Sequence, residues 1–199
     1  MLERAMPYIL AFIPVFVAVD AVANIPIFLS LTESCSRKQR DKIIRDAVKT
    51  ATAVAVIFMF IGKWVFSVLG VTMFDFQIAG GIFLFVISVK LLLPGTQKSV
   101  LTSAHDKDIG VFPLGTPLIS GPAVLTATLM MLDTFGIWPT LVSLVLNMLI
   151  VWVTLAKSDL IIKLIGLNGT RASSKITYLF LAAIAVMMVR RGIIGAFLQ

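Results

Sequence analysis

Charged side chains are scarce in this sequence of 199 residues: only 14% are charged, whereas 59% are apolar. Soluble domains carry about a quarter charged residues. A soluble core of this size could not bury so much apolar sequence without leaving large apolar patches in water. The composition therefore excludes an ordinary soluble protein. It indicates a single domain, residues 1–199, whose solvent is a lipid bilayer.

Histidine and cysteine are each present once, as His105 and Cys35. One cysteine cannot form an internal disulfide, and one histidine without a cysteine pair does not complete a metal site. The sequence also lacks a nucleotide-binding loop, so ATP cannot drive a cycle within this chain. We therefore expect no cofactor and no metal, and leave H⁺ or Na⁺ open as a coupling ion.

Long apolar stretches, by contrast, fill most of the chain. Each is close to the ~20 residues that a helix needs to cross the hydrocarbon, and a helix satisfies its own backbone groups there. The sequence thus predicts an all-α integral membrane protein with six transmembrane helices. The six stretches are Met6–Leu31, Ala47–Leu69, Phe76–Leu93, Val111–Leu132, Ile137–Ala156 and Ile176–Leu198.

The basic residues, which give a net charge of +7, are unevenly distributed. Thirteen of the 17 Lys and Arg residues lie in the three odd-numbered connectors, where a cytoplasmic location explains them better than nucleic-acid binding. This asymmetry predicts that both termini lie outside. The four on the other side are Arg4, Lys63, Arg190 and Arg191, and the last two are expected to mark the end of the sixth stretch at the headgroups.

The two halves of the chain, about 6–93 and 111–198, carry similar features in the same order. Proline lies within the first and fourth stretches, in Asn24-Ile25-Pro26 and Ser120-Gly121-Pro122. Small residues lie in the third and sixth, in Ala79-Gly80-Gly81 and Leu181-Ala182-Ala183. An odd number of spans separates the halves, so the pattern predicts two inverted three-helix repeats with broken helices 1 and 4.

Asp20 is the one acidic residue near the middle of a span. An ionised carboxylate there costs at least ~2.5 kcal/mol, so Asp20 should face a wet cavity or the protein interior. Asn24 shares a face with Asp20 if the helix is unbroken, and Pro26 should free the carbonyl of residue 22. We interpret these three residues as a candidate substrate or ion site; the alternatives are a hydrogen-bonded structural carboxyl and an ordinary proline kink.

The fourth stretch has three prolines and two glycines between residues 112 and 122, which a regular helix cannot accommodate. A break at membrane depth exposes a half-helix N-terminus that attracts anions, and Thr116 or Ser120 could cap it. We interpret the break as a ligand site, against a purely structural break. Its candidate binding residues are Thr116, Pro117, Ser120, Gly121 and Pro122.

Asn147 is the only strongly polar residue inside the fifth stretch. It is a further candidate for solute binding. A hydrogen bond between helices explains it equally well.

The motifs Asp20-x-x-x-Asn24-Ile25-Pro26-Ile27-Phe28-Leu29 and Pro113-Leu114-x-x-Pro117-Leu118-Ile119-x-Gly121-Pro122 resemble the MarC family. The likeness covers nearly the whole chain. It implies a six-span protein of the prokaryotic cytoplasmic membrane, and the family includes the SnatA neutral amino acid transporters. The family commonly has Asp-Pro-x-Gly-Asn in the first span, where this chain has Ala21 and Ala23.

The leading hypothesis is a secondary transporter of small solutes, with neutral amino acids as the class that the resemblance implies. An exporter or channel for another metabolite and a non-transporting membrane scaffold stay open. An intramembrane hydrolase is disfavoured, because no histidine lies in any span and Asp20 has no second carboxylate. The expected partners are a small-molecule substrate and the lipid bilayer, without nucleic acid. The solute, the direction, the coupling ion and the oligomeric state remain open.

Overall fold

The protein is built from helices, and no strand occurs in the part of the chain that the structure describes. The structure is a computed structural model that describes residues 2–32, 35–93 and 109–197. Within these ranges, residues 2–4, 26, 30, 91, 159, 161–177, 180 and 181 are described by their backbone alone. The predicted all-α membrane fold is confirmed.

Seven regular helices and one irregular helical segment follow each other along the described chain. The irregular segment is Gly110–Ile119, between α4 and α5. The helices are α1 (Leu2–Val19), α2 (Ala21–Leu31), α3 (Arg37–Leu69), α4 (Met73–Leu92), α5 (Pro122–Phe135), α6 (Ile137–Ala156) and α7 (Ser158–Phe197).

Local sequence signals set the ends of α3 and α4. Each begins with a capping box. The hydroxyl of the N-cap residue accepts a hydrogen bond from the backbone N–H three residues later, and the side chain of that later residue accepts one from the N–H of the N-cap residue. Ser36 and Gln39 form the box of α3, and Thr72 and Asp75 that of α4. Gly70 ends α3 in the left-handed conformation with φ 65°, which glycine adopts without a Cβ clash.

Four of the described helices are long and apolar enough to cross a membrane, or five if the bent pair of irregular segment and α5 is one span. They account for the first five predicted stretches. The sixth, Ile176–Leu198, lies mostly in α7, and its residues 176, 177, 180, 181 and 198 fall outside the described side chains. Six crossings therefore remain a prediction.

Two helices are longer than the stretches from which they were predicted. The basic residues between the first two stretches do not form a loop but the first turns of α3, which has 33 residues. The connector predicted around Lys163, Arg171 and Lys175 is likewise helical, because α7 runs without interruption for 40 residues. At a rise of about 1.5 Å per residue, α7 is ~60 Å long, twice the thickness of the hydrocarbon.

The outer surface of the helices is apolar. Large apolar side chains are exposed on every regular helix, up to 86% for Phe197, and water would not tolerate so continuous a surface. The three tryptophans, Trp64, Trp138 and Trp152, are 48–69% exposed, as is typical of residues at membrane interfaces. Lipid is therefore the solvent of this surface.

The helix packing follows a regular exchange between the two halves. Helix α3 packs on the irregular segment, and α6 packs on α1. Helix α3 also contacts α5 as α6 contacts α2, while α4 lies along α7 and α3 along α6. Suppose that the first three predicted spans are exchanged for the last three, so that α1 becomes the irregular segment, α2 becomes α5, α3 becomes α6 and α4 becomes α7. Each pairing named above then becomes another of these pairings or stays the same. The exchange is not complete, because α5 packs on α6 whereas no comparable contact joins α2 to α3 among the described residues. Two inverted repeats therefore remain a prediction.

Candidate functional site: a cavity between two broken spans

The first span is broken at Asp20, between α1 and α2. Asp20 has φ 44° and ψ 62°, the left-handed conformation that Asp tolerates better than most residues. Its carboxylate caps α2 by accepting a hydrogen bond from the N–H of Ala23 at 3.3 Å. The break therefore lies at Asp20, six residues earlier than the proline kink that we expected at Pro26. Pro26 lies within α2, and its side chain is outside the described part.

Asn24 closes the backbone at this break. Its side-chain amide donates to the carbonyl oxygens of Val19, at 2.9 Å, and Asp20, at 3.1 Å. We expected Pro26 to free the carbonyl of residue 22, but the carbonyls at the break are those of Val19 and Asp20, and the Asn24 amide occupies both of them. Because the helix is broken between the two residues, they also do not share one continuous helix face.

The fourth span is broken by the irregular segment, as predicted. Phe112 and Thr116 have extended φ/ψ values, as expected for residues that precede proline. Both of these X-Pro bonds are cis. Six residues of the segment are buried, so protein surrounds the irregular backbone instead of lipid.

Small residues bring the irregular segment directly against α3. A Cβ added at Gly110 would lie 2.7 Å from the carbonyl oxygen of Ile43, and one at Gly115 would lie 3.0 Å from that of Ala47. Ala47, which contacts both glycines, is the first of a buried alanine series of α3 that continues with Ala51 and Ala55. This close approach fixes where the break lies relative to the rest of the bundle.

Helix α5 begins at the break without a side-chain cap. Gly121 is its N-cap residue, Pro122 is its first residue, and the irregular segment meets it at 54°. Ser120 does not cap α5 as we expected, because its hydroxyl donates to the carbonyl oxygen of Gly115 at 2.8 Å and lies 3.0 Å from the hydroxyl of Thr116. The first turn of α5 therefore keeps the positive end of a helix dipole uncompensated by any side chain.

A cavity of about 560 Å³ lies between the two breaks. Asp20, Asn24, Pro117, Gly121 and Pro122 line it, so it unites the two motifs that the sequence singled out. The expectation that Asp20 and the fourth-span break face one cavity is confirmed as geometry. Most of the other lining residues are apolar, as in pockets that bind small molecules with a few placed polar groups.

Three of the predicted site residues do not line this cavity. Thr116 and Ser120 bond to each other behind the break. Asn147 is buried between α6 and α1, where its amide donates to the carbonyl oxygens of Ser143, at 2.9 Å, and Phe12, at 3.4 Å. The contact with Phe12 joins α6 to α1 and matches the structural interpretation of Asn147.

Three polar residues of the cavity escaped the sequence analysis: Gln77, Thr126 and Arg191. Thr126 is 5% exposed, and its hydroxyl has no hydrogen-bond partner among the described residues. Arg191 was expected to lie at the headgroups, yet it lines the same cavity as Asp20, whereas Arg190 does not. Successive residues of a helix point about 100° apart, and this spacing was the signal that could have separated the two arginines. No cluster of three or more potential metal ligands occurs in the described residues.

An apolar outer surface, spanning helices and a cavity between two broken spans define an integral membrane protein with an internal site. The chain belongs to the MarC family of integral membrane proteins, which it matches over residues 6–197.

Its relatives match it nearly end to end. A UPF0056 membrane protein of Methanocaldococcus jannaschii is 32% identical over 200 residues, covering 96% of this chain and 98% of the relative. A UPF0056 membrane protein of Archaeoglobus fulgidus is 34% identical, covering 92% and 90%. The UPF0056 inner membrane protein YhgN of Escherichia coli is 31% identical, covering 87% and 89%. No solved structure shows a significant match to the chain.

Proposed function

We propose that this protein is a secondary transporter of small solutes, and that neutral amino acids are its substrates. The observation that supports this most is the cavity in which the Asp20 carboxylate and the uncapped N-terminus of α5 both lie. Broken spans in corresponding places of two halves are the usual construction of a transporter's substrate site.

The charges at the two breaks suit a zwitterion. The Asp20 carboxylate attracts an ammonium group, or a coupling cation such as H⁺ or Na⁺. The N-terminus of α5 attracts a carboxylate mainly through its dipole, because Pro122 has no N–H and the N–H of Val124 already donates to the carbonyl oxygen of Gly121 at 2.9 Å. Largely apolar walls exclude water and strengthen both interactions.

An enzymatic role receives less support from the same cavity. Of the described residues that line it, only Asp20 is acidic, so it offers no carboxylate pair. The hydroxyl of Ser120 is buried in its bonds with Gly115 and Thr116, away from the cavity. We infer that the protein is not a hydrolase.

The relatives support a location in the membrane, and YhgN is described as an inner membrane protein. We infer that this chain lies in a prokaryotic cytoplasmic membrane with both termini outside, because most of its basic residues then face the cytoplasm. The expected partners are the bilayer and a small solute, without nucleic acid. An exporter or channel for another metabolite would use the same cavity. A non-transporting scaffold would not need the charge of Asp20.

Asp20→Asn tests this proposal, because it keeps the size of the side chain and removes the charge. The measurement is counterflow of labelled alanine, serine and leucine into liposomes that contain the purified protein, with and without Na⁺ or pH gradients. We expect a fall of at least about tenfold, since a hydrogen bond to a charged group is worth ~1.5–3 kcal/mol.

Asp41→Asn is the matched control, because Asp41 is an exposed carboxylate of α3 that does not line the cavity. It should transport at the wild-type rate. Wild-type rates from Asp20→Asn would mean that this carboxylate is structural. In that case the mechanism would have to be abandoned and the scaffold favoured.

A further inference from the structure

We propose that Arg191, together with the N-terminus of α5, binds the carboxylate of the transported zwitterion, and that the substrates are amino acids with apolar side chains. This inference rests on the proposed function and assigns the two ends of the substrate to different parts of the cavity. Asp20 then holds the ammonium end.

Arg191 is distinguished from its neighbour by its position on α7. Arg190 and Arg191 are both exposed, but only Arg191 lines the cavity. The next residue, Gly192, is buried against α4, because a Cβ there would lie 2.8 Å from the carbonyl oxygen of Phe74. Helix α7 is thus held beside α4 by close packing at the residue that follows Arg191.

Two close contacts of α4 place Arg191 near the depth of the fourth-span break. Gly80 touches the break, since a Cβ there would lie 2.0 Å from Cγ of Pro122. Gly192 contacts α4 at Phe74 and Ile78. Ile78 and Gly80 are two residues apart, or about 3 Å along the helix axis. An arginine side chain spans such an offset easily, so Arg191 and the start of α5 contribute positive charge to the same region of the cavity.

The guanidinium of Arg191 is available to a ligand. No salt bridge joins it to Asp20 or to another carboxylate within the described ranges. Arg presents a planar set of donors that pairs with a carboxylate through two parallel hydrogen bonds. Gln77, three residues before Gly80 on α4, lines the same cavity and adds a neutral amide.

The remaining walls favour an apolar substrate side chain. Met130, Met187 and Met188 line the cavity from α5 and α7, together with Leu84 and Ile184. Methionine is unbranched and polarizable, so it adapts to side chains of different shape. Among the described residues that line the cavity, only Asp20 and Arg191 are charged, so none of the others would pair with a charged substrate side chain.

The test compares Arg191→Gln with Arg190→Gln and Arg191→Lys in liposome counterflow of labelled leucine. Unlabelled leucine and unlabelled leucinamide, in which a neutral amide replaces the carboxylate, serve as competitors. We expect wild type to prefer leucine over leucinamide and Arg191→Gln to lose about tenfold or more of that preference. Arg190→Gln should keep the wild-type preference, and Arg191→Lys should retain part of it. The preference is a ratio, so it does not depend on how much of each variant folds.

The results separate this inference from the proposed function. Wild-type transport together with an unchanged leucine preference in Arg191→Gln overturns the role of Arg191 and leaves the transporter standing. An equal loss of preference in Arg190→Gln also overturns it, because the effect would then be general surface charge. Failure of the wild-type protein to exchange any amino acid overturns the proposed function and this inference with it.

Discussion

At the residue scale, the two breaks satisfy their backbone groups by different means. In the first span, the amide side chain of Asn24 donates to the carbonyl oxygens of Val19 and Asp20. In the fourth, the hydroxyl of Ser120 donates to the carbonyl oxygen of Gly115. Both side chains are buried, with 5% and 1% of their surface exposed. A polar side chain therefore holds each break in one geometry. Asn24 follows the first break in the chain, and Ser120 forms part of the second.

Asn24→Leu should destabilise the protein more than Asn147→Leu does. Without Asn24, the carbonyl of Val19 loses its donor, because the N–H of Ala23 is already directed to the carboxylate of Asp20. A buried acceptor without a partner costs about 1–3 kcal/mol. Asn147 donates to carbonyls within regular helices, and its own buried oxygen has no partner among the described residues, so leucine removes an unsatisfied atom there.

Thermal unfolding of the two purified variants in detergent measures this difference, and counterflow measures its functional consequence. Asn147→Leu should transport at close to the wild-type rate. Equal melting temperatures for both variants would show that Asn24 does not hold the break.

The sequence identified Asp20 and Gly121 because charge and proline are costly at membrane depth. It placed the first break at Pro26, since proline is the strongest local helix breaker, whereas the left-handed conformation of Asp20 depends on its surroundings. It missed Arg191 because an arginine near a helix end is ordinarily a headgroup residue. The three-dimensional structure distinguishes the two adjacent arginines, because Arg191 lines the cavity and Arg190 does not.

At the scale of helices, α4 positions the fourth-span break. Gly80 lies against Pro122, and Gly81 lies against α7, where a Cβ would approach the carbonyl oxygen of Ala185 to 2.8 Å. The absence of side chains at two adjacent residues lets α4 contact α5 on one side and α7 on the other. Gly80 and Gly81 therefore allow close packing of α4 on both of its neighbours.

Gly80→Ala should therefore push α4 away from the break. Pro122 has a rigid ring that cannot rotate aside, so we expect an overpacking cost of about 1–3 kcal/mol and slower transport. Ala79→Val is the control, because it adds more carbon atoms at the preceding residue, which is exposed. Melting temperatures in detergent and counterflow rates should fall for Gly80→Ala and not for Ala79→Val. A fall in both would point to a general intolerance of α4 to bulk.

Helix ends were predicted well where the apolar stretch ends together with the helix. They were predicted less well where the helix continues through charged residues. The stretch Ile137–Ala156 has the bounds of α6 itself. The predicted Ala47–Leu69 ends where α3 ends, but α3 begins ten residues earlier, at Arg37. Hydropathy marks the part of a helix that lipid covers. It carries no information on how far the helix continues into water, which capping by Ser36 and Gln39 decides here.

At the scale of the whole molecule, the order of features in the sequence and the exchange pattern of helix contacts point to the same arrangement. Helix α3 of the first half packs on the irregular segment of the second half, and α6 of the second half packs on α1 of the first half. If these two contacts correspond, each half covers the broken span of the other. The cavity lies where the two broken spans meet. Rocking of one half against the other would then open it to alternate sides.

The orientation of this arrangement is the last prediction, and it follows from charge. With six crossings, 13 of the 17 basic residues would lie on the side opposite to the termini, and the retention of Lys and Arg in the cytoplasm would make that side the inner one. A green fluorescent protein fused after Gln199 should be dark when exported in unfolded form, whereas alkaline phosphatase fused there should be active. Fusions after Leu93, at the end of α4, should behave in the opposite way. Fluorescence at Gln199 would reverse the orientation and place Arg191 at the cytoplasmic end of the cavity, so that its proposed role would be in release instead of capture of the solute.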